Sequence, residues 1–113
     1  MEKSKEIVSK LVSKYVQEKP SKITLRLEDK KSNIGLEGEN LNQLVECPQV
    51  IDFTSFAQGV LDAYRGEYGE LKVVPQNFRE EIYENGKVSL DLYPTGSAGV
   101  FDIFIEYKRK TGK

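Results

Sequence analysis

Asp91 and Asp102 are the two residues whose types and spacing most invite chemistry. Val88, Leu90 and Leu92 alternate with Ser89 and Asp91, while Phe101, Ile103 and Ile105 alternate with Asp102, Phe104 and Glu106. A period of two is the mark of strands with one dry face and one wet face. With Pro94 to Gly99 as the loop of a hairpin spanning 87 to 107, Tyr93 pairs with Val100, Leu92 with Phe101, Leu90 with Ile103 and Val88 with Ile105. That register opposes Asp91 to Asp102, Ser89 to Phe104 and Lys87 to Glu106 on the wet face. Like charges directly across a ladder repel, so something must offset them. A divalent cation, a shared proton or a basic side chain would do so. Arg79 is the basic candidate within the chain if residues 77 to 86 form a strand.

The remaining reactive types are poorer candidates. The loop Pro94-Thr95-Gly96-Ser97-Ala98-Gly99 could aim backbone N–H groups at an anion. It leads into a strand, however, whereas phosphate-binding glycine loops usually lead into a helix. Cys47 is the sole cysteine and the chain has no histidine, so Cys–His and Ser–His catalysis cannot be assembled within one chain. Cys47 reads instead as a small buried hydrophobe. Of the six tyrosines, Tyr68 and Tyr93 fall at element edges, where a ring and hydroxyl often serve protein recognition.

The elements that must position these residues follow from periodicity. Ile7, Val8, Leu11, Val12, Tyr15 and Val16 form an amphipathic helical stripe over 4 to 18, ended by Pro20. Ile23, Leu25 and Leu27 then alternate with polar residues, and Ile34 and Leu36 resume the alternation after a polar turn at 29 to 32. Four loop residues there would pair Leu27 with Ile34 and Leu25 with Leu36. Residues 40 to 51 read as a short helical turn and a connector, because Leu41, Leu44 and Val45 have helical spacing while Pro48 forbids a long helix. Asp52 and Ser55 cap a second helix, whose stripe of Phe53, Phe56, Ala57, Val60, Leu61 and Tyr64 ends at Gly66. Gly59 inside it implies close packing of helix on sheet. ELKVV at 70 to 74 reads as a strand. Residues 77 to 86 fit either a helix capped by Asn77 and ended by Gly86, or a strand turning at Asn85-Gly86. The strand form would pair Ile82 with Val88.

At 113 residues, 38% hydrophobic with six Tyr and five Phe, the chain is long enough and apolar enough for one folded domain over 1–113. The expected fold is α+β: a single antiparallel sheet of about five to six strands with two main helices on one face, in the order α-β-β-α-β-(β or α)-β-β. Lys3, Lys5, Lys10, Lys14 and Glu6 interrupt any signal-peptide core, and no apolar run reaches the roughly 18 residues of a membrane span. With no disulfide partner for Cys47, a reducing cytoplasmic setting is expected.

The net charge of −1 conceals segregation. Residues 1 to 31 hold nine Lys or Arg against five Asp or Glu, residues 32 to 106 hold four against thirteen, and the last seven residues add four cations. An acidic body repels nucleic-acid phosphates and attracts a basic partner. Function is therefore expected in a cofactor-free, non-enzymatic module that binds a basic protein, with Asp91, Asp102, Phe104, Glu106, Tyr93 and Tyr68 as contact residues. Immunity or antitoxin proteins that neutralise a basic toxin are the class that size and charge suggest. A metal-dependent hydrolase using Asp91, Asp102 and Glu106 or Glu37, and a self-associating subunit pairing a sheet edge or its first helix with a copy, are the alternatives.

Overall fold

The structure, a computed structural model, describes residues 3–74, 81–93 and 99–108. These residues form one antiparallel sheet of seven strands and two α-helices, an α+β arrangement. The chain runs α1 (Ser4–Ser13), β1 (Lys22–Glu28), β2 (Lys31–Gly38), β3 (Leu41–Cys47), α2 (Phe53–Tyr68), β4 (Lys72–Val74), β5 (Glu81–Glu84), β6 (Val88–Leu92) and β7 (Val100–Tyr107). The strand order is β3-β2-β1-β7-β6-β5-β4, so two meanders meet where β1 pairs with β7 at the centre.

The core occupies one face of this sheet. Ile23, Leu25, Ile34, Leu36, Val88, Leu90, Leu92, Ile103 and Ile105 are buried together with Val8 and Val12 of α1, Val16 just after it, and Phe56, Val60 and Tyr64 of α2. The alternate strand residues are exposed or half-buried. Both helices therefore cover the same face, and the opposite face is left open among the described residues.

The first helix is shorter than its apolar stripe. It leaves α geometry after Ser13 and closes with a 3-10 turn at Val16–Glu18, and Lys19 takes a left-handed φ of 54° before Pro20. Asp52 caps α2 by accepting the Ser55 N–H at 3.1 Å, and bonds from Ser55 hold its carboxyl below the usual carboxylate range. Gly66 does not end this helix. It continues through Tyr68 to Gly69, whose φ of 91° supplies the break. Gly59 serves α1 rather than the sheet: a Cβ there would lie 2.6 Å from the Val8 Cβ and 2.7 Å from the Lys5 carbonyl oxygen.

Residues 41–47 form a strand, not the expected helical turn. Leu41 and Cys47 face the core with Val45 half-buried between them, whereas Leu44 points to the other side and is 72% exposed. Its presence mimicked helical spacing. Pairing with β2 decides the conformation, as tertiary context commonly does for weak β-formers.

Hairpin registers also differ from expectation. Asp29 and Lys30 alone turn β1 into β2, with Lys30 at φ 66°, so Leu25 pairs with Ile34 and Ile23 with Leu36. In the last hairpin Leu92 pairs with Ile103, Leu90 with Ile105 and Val88 with Tyr107. Both differ from the expected registers by two residues, which leaves every side chain on its expected face. Val100 and Phe101 pair with Arg26 and Leu25 on the β1 side of β7.

The segment 81–84 is a strand, and the Asn77 to Glu80 portion lies outside the described residues. Ile82 pairs with Asp91 rather than Val88, an odd shift that sends Ile82 to the open face and Tyr83 to the core face opposite Leu90. Asn85 explains it. Its Oδ1 accepts the N–H groups of Lys87 (2.7 Å) and Val88 (3.0 Å), and its Nδ2 donates to the carbonyls of Tyr68 (3.1 Å) and Glu70 (3.0 Å). The side chain thus widens the turn and ties it to the end of α2.

Two glycines of α2 should respond in opposite directions in urea denaturation. Gly59→Ala must push α1 away and lose about 1–3 kcal/mol. Gly66→Ala, which meets nothing within 4 Å, should gain about 1 kcal/mol of helix propensity.

Candidate functional site

The open face is built in rows by the ladders. One row runs Lys22, Phe104, Asp91, Ile82 across β1, β7, β6 and β5, and the next runs Leu44, Gly35, Thr24, Asp102 across β3, β2, β1 and β7. Asp102 also receives the backbone N–H of Tyr93 on its carbonyl at 3.3 Å. Gly35 has no side chain to fill its place, so a shallow hollow of about 220 Å³ opens over it, with Lys22, Arg26, Glu37 and Asp102 on its walls.

At the centre lies an aromatic pair. The rings of Phe104 and Tyr93 meet edge to face, with centroids 5.6 Å apart and planes at 88°. Phe104 is 42% exposed, and the Lys22 ammonium stands 6.0 Å from its ring centroid. The carboxylates around this pair are held in place. Thr24 donates its hydroxyl to Asp102 Oδ1 at 2.8 Å, and Tyr93 donates to Asp91 Oδ2 at 3.2 Å. Lys22 also approaches Glu37 at 3.8 Å.

Five of the six expected contact residues, Asp91, Asp102, Phe104, Glu106 and Tyr93, share this face. The opposition of Asp91 to Asp102 does not survive the register: Asp91 faces Phe104, Glu106 faces Ser89, and Asp102 lies between Thr24 and Tyr93. With the two carboxylates diagonal rather than opposed, the repulsion that called for a cation or a shared proton is relieved. The proposed neutraliser Arg79 lies outside the described residues, as do residues 94 to 98 of the glycine-rich loop, and Ile82 takes the place opposite Asp91 that Arg79 was expected to hold. Among the described residues no group of three or more His, Cys, Asp or Glu could hold a metal ion. Thr24 and Lys22, which position Asp102 and Phe104, were missed, because only the pairing of β1 with β7 brings them there.

Cys47 is buried at the end of β3, and burial raises its thiol pKa, which suits the hydrophobe reading. Beside it Ser32 is completely buried, accepting the Ile51 N–H at 2.8 Å and donating to the Gln49 carbonyl at 2.9 Å. This clamp fixes the connector from β3 to α2.

Tyr68 stands apart from the other five. It stacks on Tyr64 at 5.8 Å and tilts against Tyr107 at 6.0 Å, on the helix side of the sheet. Tyr107 gives its one hydroxyl proton to the Pro20 carbonyl at 2.8 Å, so Tyr64 is the donor in their 2.6 Å contact. The relay joins α2, β7 and the connector before β1.

The sequence matches no protein-family model and no curated protein. No helix among the described residues is long and apolar enough to cross a membrane. The functional reading therefore rests on the geometry of the open face.

Burial is the main cause of the raised pKa of both Tyr64 and Tyr107. A phenol raised on folding leaves stability intact below its unfolded value of about 10 and withdraws it as pH rises further. Denaturation midpoints should therefore fall above about pH 10, and phenolate absorbance from these two rings should appear only with unfolding. Tyr107→Phe should strand the Pro20 carbonyl and cost about 1–3 kcal/mol at neutral pH.

Proposed function

We propose that this chain is a protein-binding module that takes basic side chains of a partner onto the Phe104–Tyr93 pair, between Asp91 and Asp102. The observation that carries this reading is an aromatic pair with Phe104 exposed, set among carboxylates that hydrogen bonds from Thr24 and Tyr93 already orient. A guanidinium stacks on an aromatic face and donates to carboxylates with the same planar group. Orientation of the acceptors beforehand lowers the entropy lost on binding.

Charge beside the aromatic pair favours the same partner. By register the open side carries Glu28, Glu37, Glu46, Glu84, Asp91, Asp102 and Glu106 against Lys22, Arg26, Lys31 and Lys72, and Lys87 and Lys108 extend it at the far end of β6 and β7, where Lys108 lies 3.5 Å from Glu84. Lys31 is engaged by Glu46 at 3.0 Å and Glu28 at 3.6 Å. The acids toward β6 and β7 are the ones beside the aromatic pair. Neutralisation of a basic toxin, such as a nuclease, is the biological role that this reading and the small size favour.

Calorimetric titration with an arginine-rich peptide tests it. Binding should weaken as salt rises, and Phe104→Ala should weaken it about two- to fivefold, the equivalent of an exposed cation–π contact. Asp102→Asn should lower the salt dependence as well. Affinity unchanged by Phe104→Ala and by both Asp91→Asn and Asp102→Asn would exclude this face.

A further inference from the structure

The two edges of the sheet are protected very differently. β4 is only three residues long and carries Lys72, two of the devices by which natural sheets discourage edge pairing. β3 is seven residues long, continuous in its pairing with β2, and contains neither lysine nor proline. Its inner backbone groups bond to β2, while the alternate N–H and C=O groups point out of the sheet, and no strand among the described residues takes them. The chemistry that satisfies a row of alternating donors and acceptors is another extended strand.

We propose that β3 pairs antiparallel with β3 of a second copy about a twofold axis through Leu44, joining two sheets into one. Several features of β3 point to a copy of itself. Leu44 is the midpoint of Leu41–Cys47, so this axis alone pairs all seven residues. It sets Leu44, the most exposed large hydrophobic among the described residues, against its own counterpart. The same register puts Asn42 opposite Glu46, an amide donor across from a carboxylate, and Leu41 opposite Cys47. Glu46 is the one charge in the strand, and a register centred on it would place two carboxylates face to face. On the helix side Gln43 is exposed and Val45 half-buried, so no helix overhangs the middle of the edge where the second strand must approach. The pairing needs no residue of the Phe104–Tyr93 surface and stands or falls independently of it.

The test has a mass arm and a register arm. Light scattering on the purified chain should give a concentration-dependent mass rising to twice 12.9 kDa, and Leu44→Lys, at a surface position, should hold the chain at 12.9 kDa with an unchanged circular dichroism spectrum. In a Cys47→Ala background, Leu44→Cys should form an intermolecular disulfide readily, because directly opposed residues of antiparallel strands lie within about 4.5–5.5 Å between Cα atoms, the range a disulfide spans. Asn42→Cys in the same background should cross-link at least tenfold more slowly, by roughly that geometric criterion. A monomer at every concentration, a dimer that survives Leu44→Lys, or cross-linking at position 42 as fast as at 44 overturns the proposal.

Discussion

The antiparallel ladder between β1 and β7 is the contact on which the rest of this structure depends. Lys22 pairs with Phe104, Thr24 with Asp102 and Arg26 with Val100, joining residues about eighty apart in sequence through a strand that also pairs with β6. Without it there would be two short meanders, each too narrow to bury its apolar face under a pair of helices. With it, Ile23 and Ile103 lie side by side beneath the helices, and Thr24 and Asp102 lie side by side on the open face. The same pairing that closes the core therefore assembles the candidate surface.

Helix–helix contact and the tyrosine relay lock this arrangement from the other side. Gly59 lets α1 lie directly against α2, while Tyr64, Tyr107 and the Pro20 carbonyl connect the second helix, the central strand and the chain entering β1. Asn85 does similar work at the far end, fastening the turn between β5 and β6 to the last residues of α2. Each of these polar anchors satisfies at least one part-buried backbone group: the Pro20 carbonyl for Tyr107, and the Tyr68 carbonyl and Val88 N–H for Asn85.

Much of the architecture was legible in the sequence because alternation reports which face a residue takes. Spacing alone assigns Val88, Leu90, Leu92, Phe101, Ile103 and Ile105 to the core; five of them are buried and Phe101 is half-buried against them. Alternation says nothing about shifts by two, however, so both hairpin registers were misjudged while their faces were not. That distinction governs the site: alternation puts Asp91, Asp102, Phe104 and Glu106 on one face, where the ladders also have them and where Tyr93, chosen for its place at an element edge, joins them, yet the opposed pair of carboxylates is an artefact of the assumed loop. Long-range pairing left no local trace, which hid Thr24 and Lys22. At the strand over 41–47, the outward Leu44 gave a helical spacing to an extended segment, and only the neighbouring β2 resolves it. Tyr68 was placed with the others on its position at an element edge, whereas packing against Tyr64 and Tyr107 takes it to the opposite side.

The open face, its aromatic pair and its oriented carboxylates all rest on one register, so that register is the claim to test. Cross-strand Hα–Hα nuclear Overhauser contacts report it directly, since these protons approach closely only at non-hydrogen-bonded antiparallel pairs. The backbone bonds Leu27 N–H to Gly99 and Tyr93 N–H to Asp102 place such pairs at Thr24 with Asp102 and at Leu92 with Ile103. Strong contacts at both pairs are the expected result. Contacts of Leu92 with Phe101, and none between Thr24 and Asp102, would contradict the account.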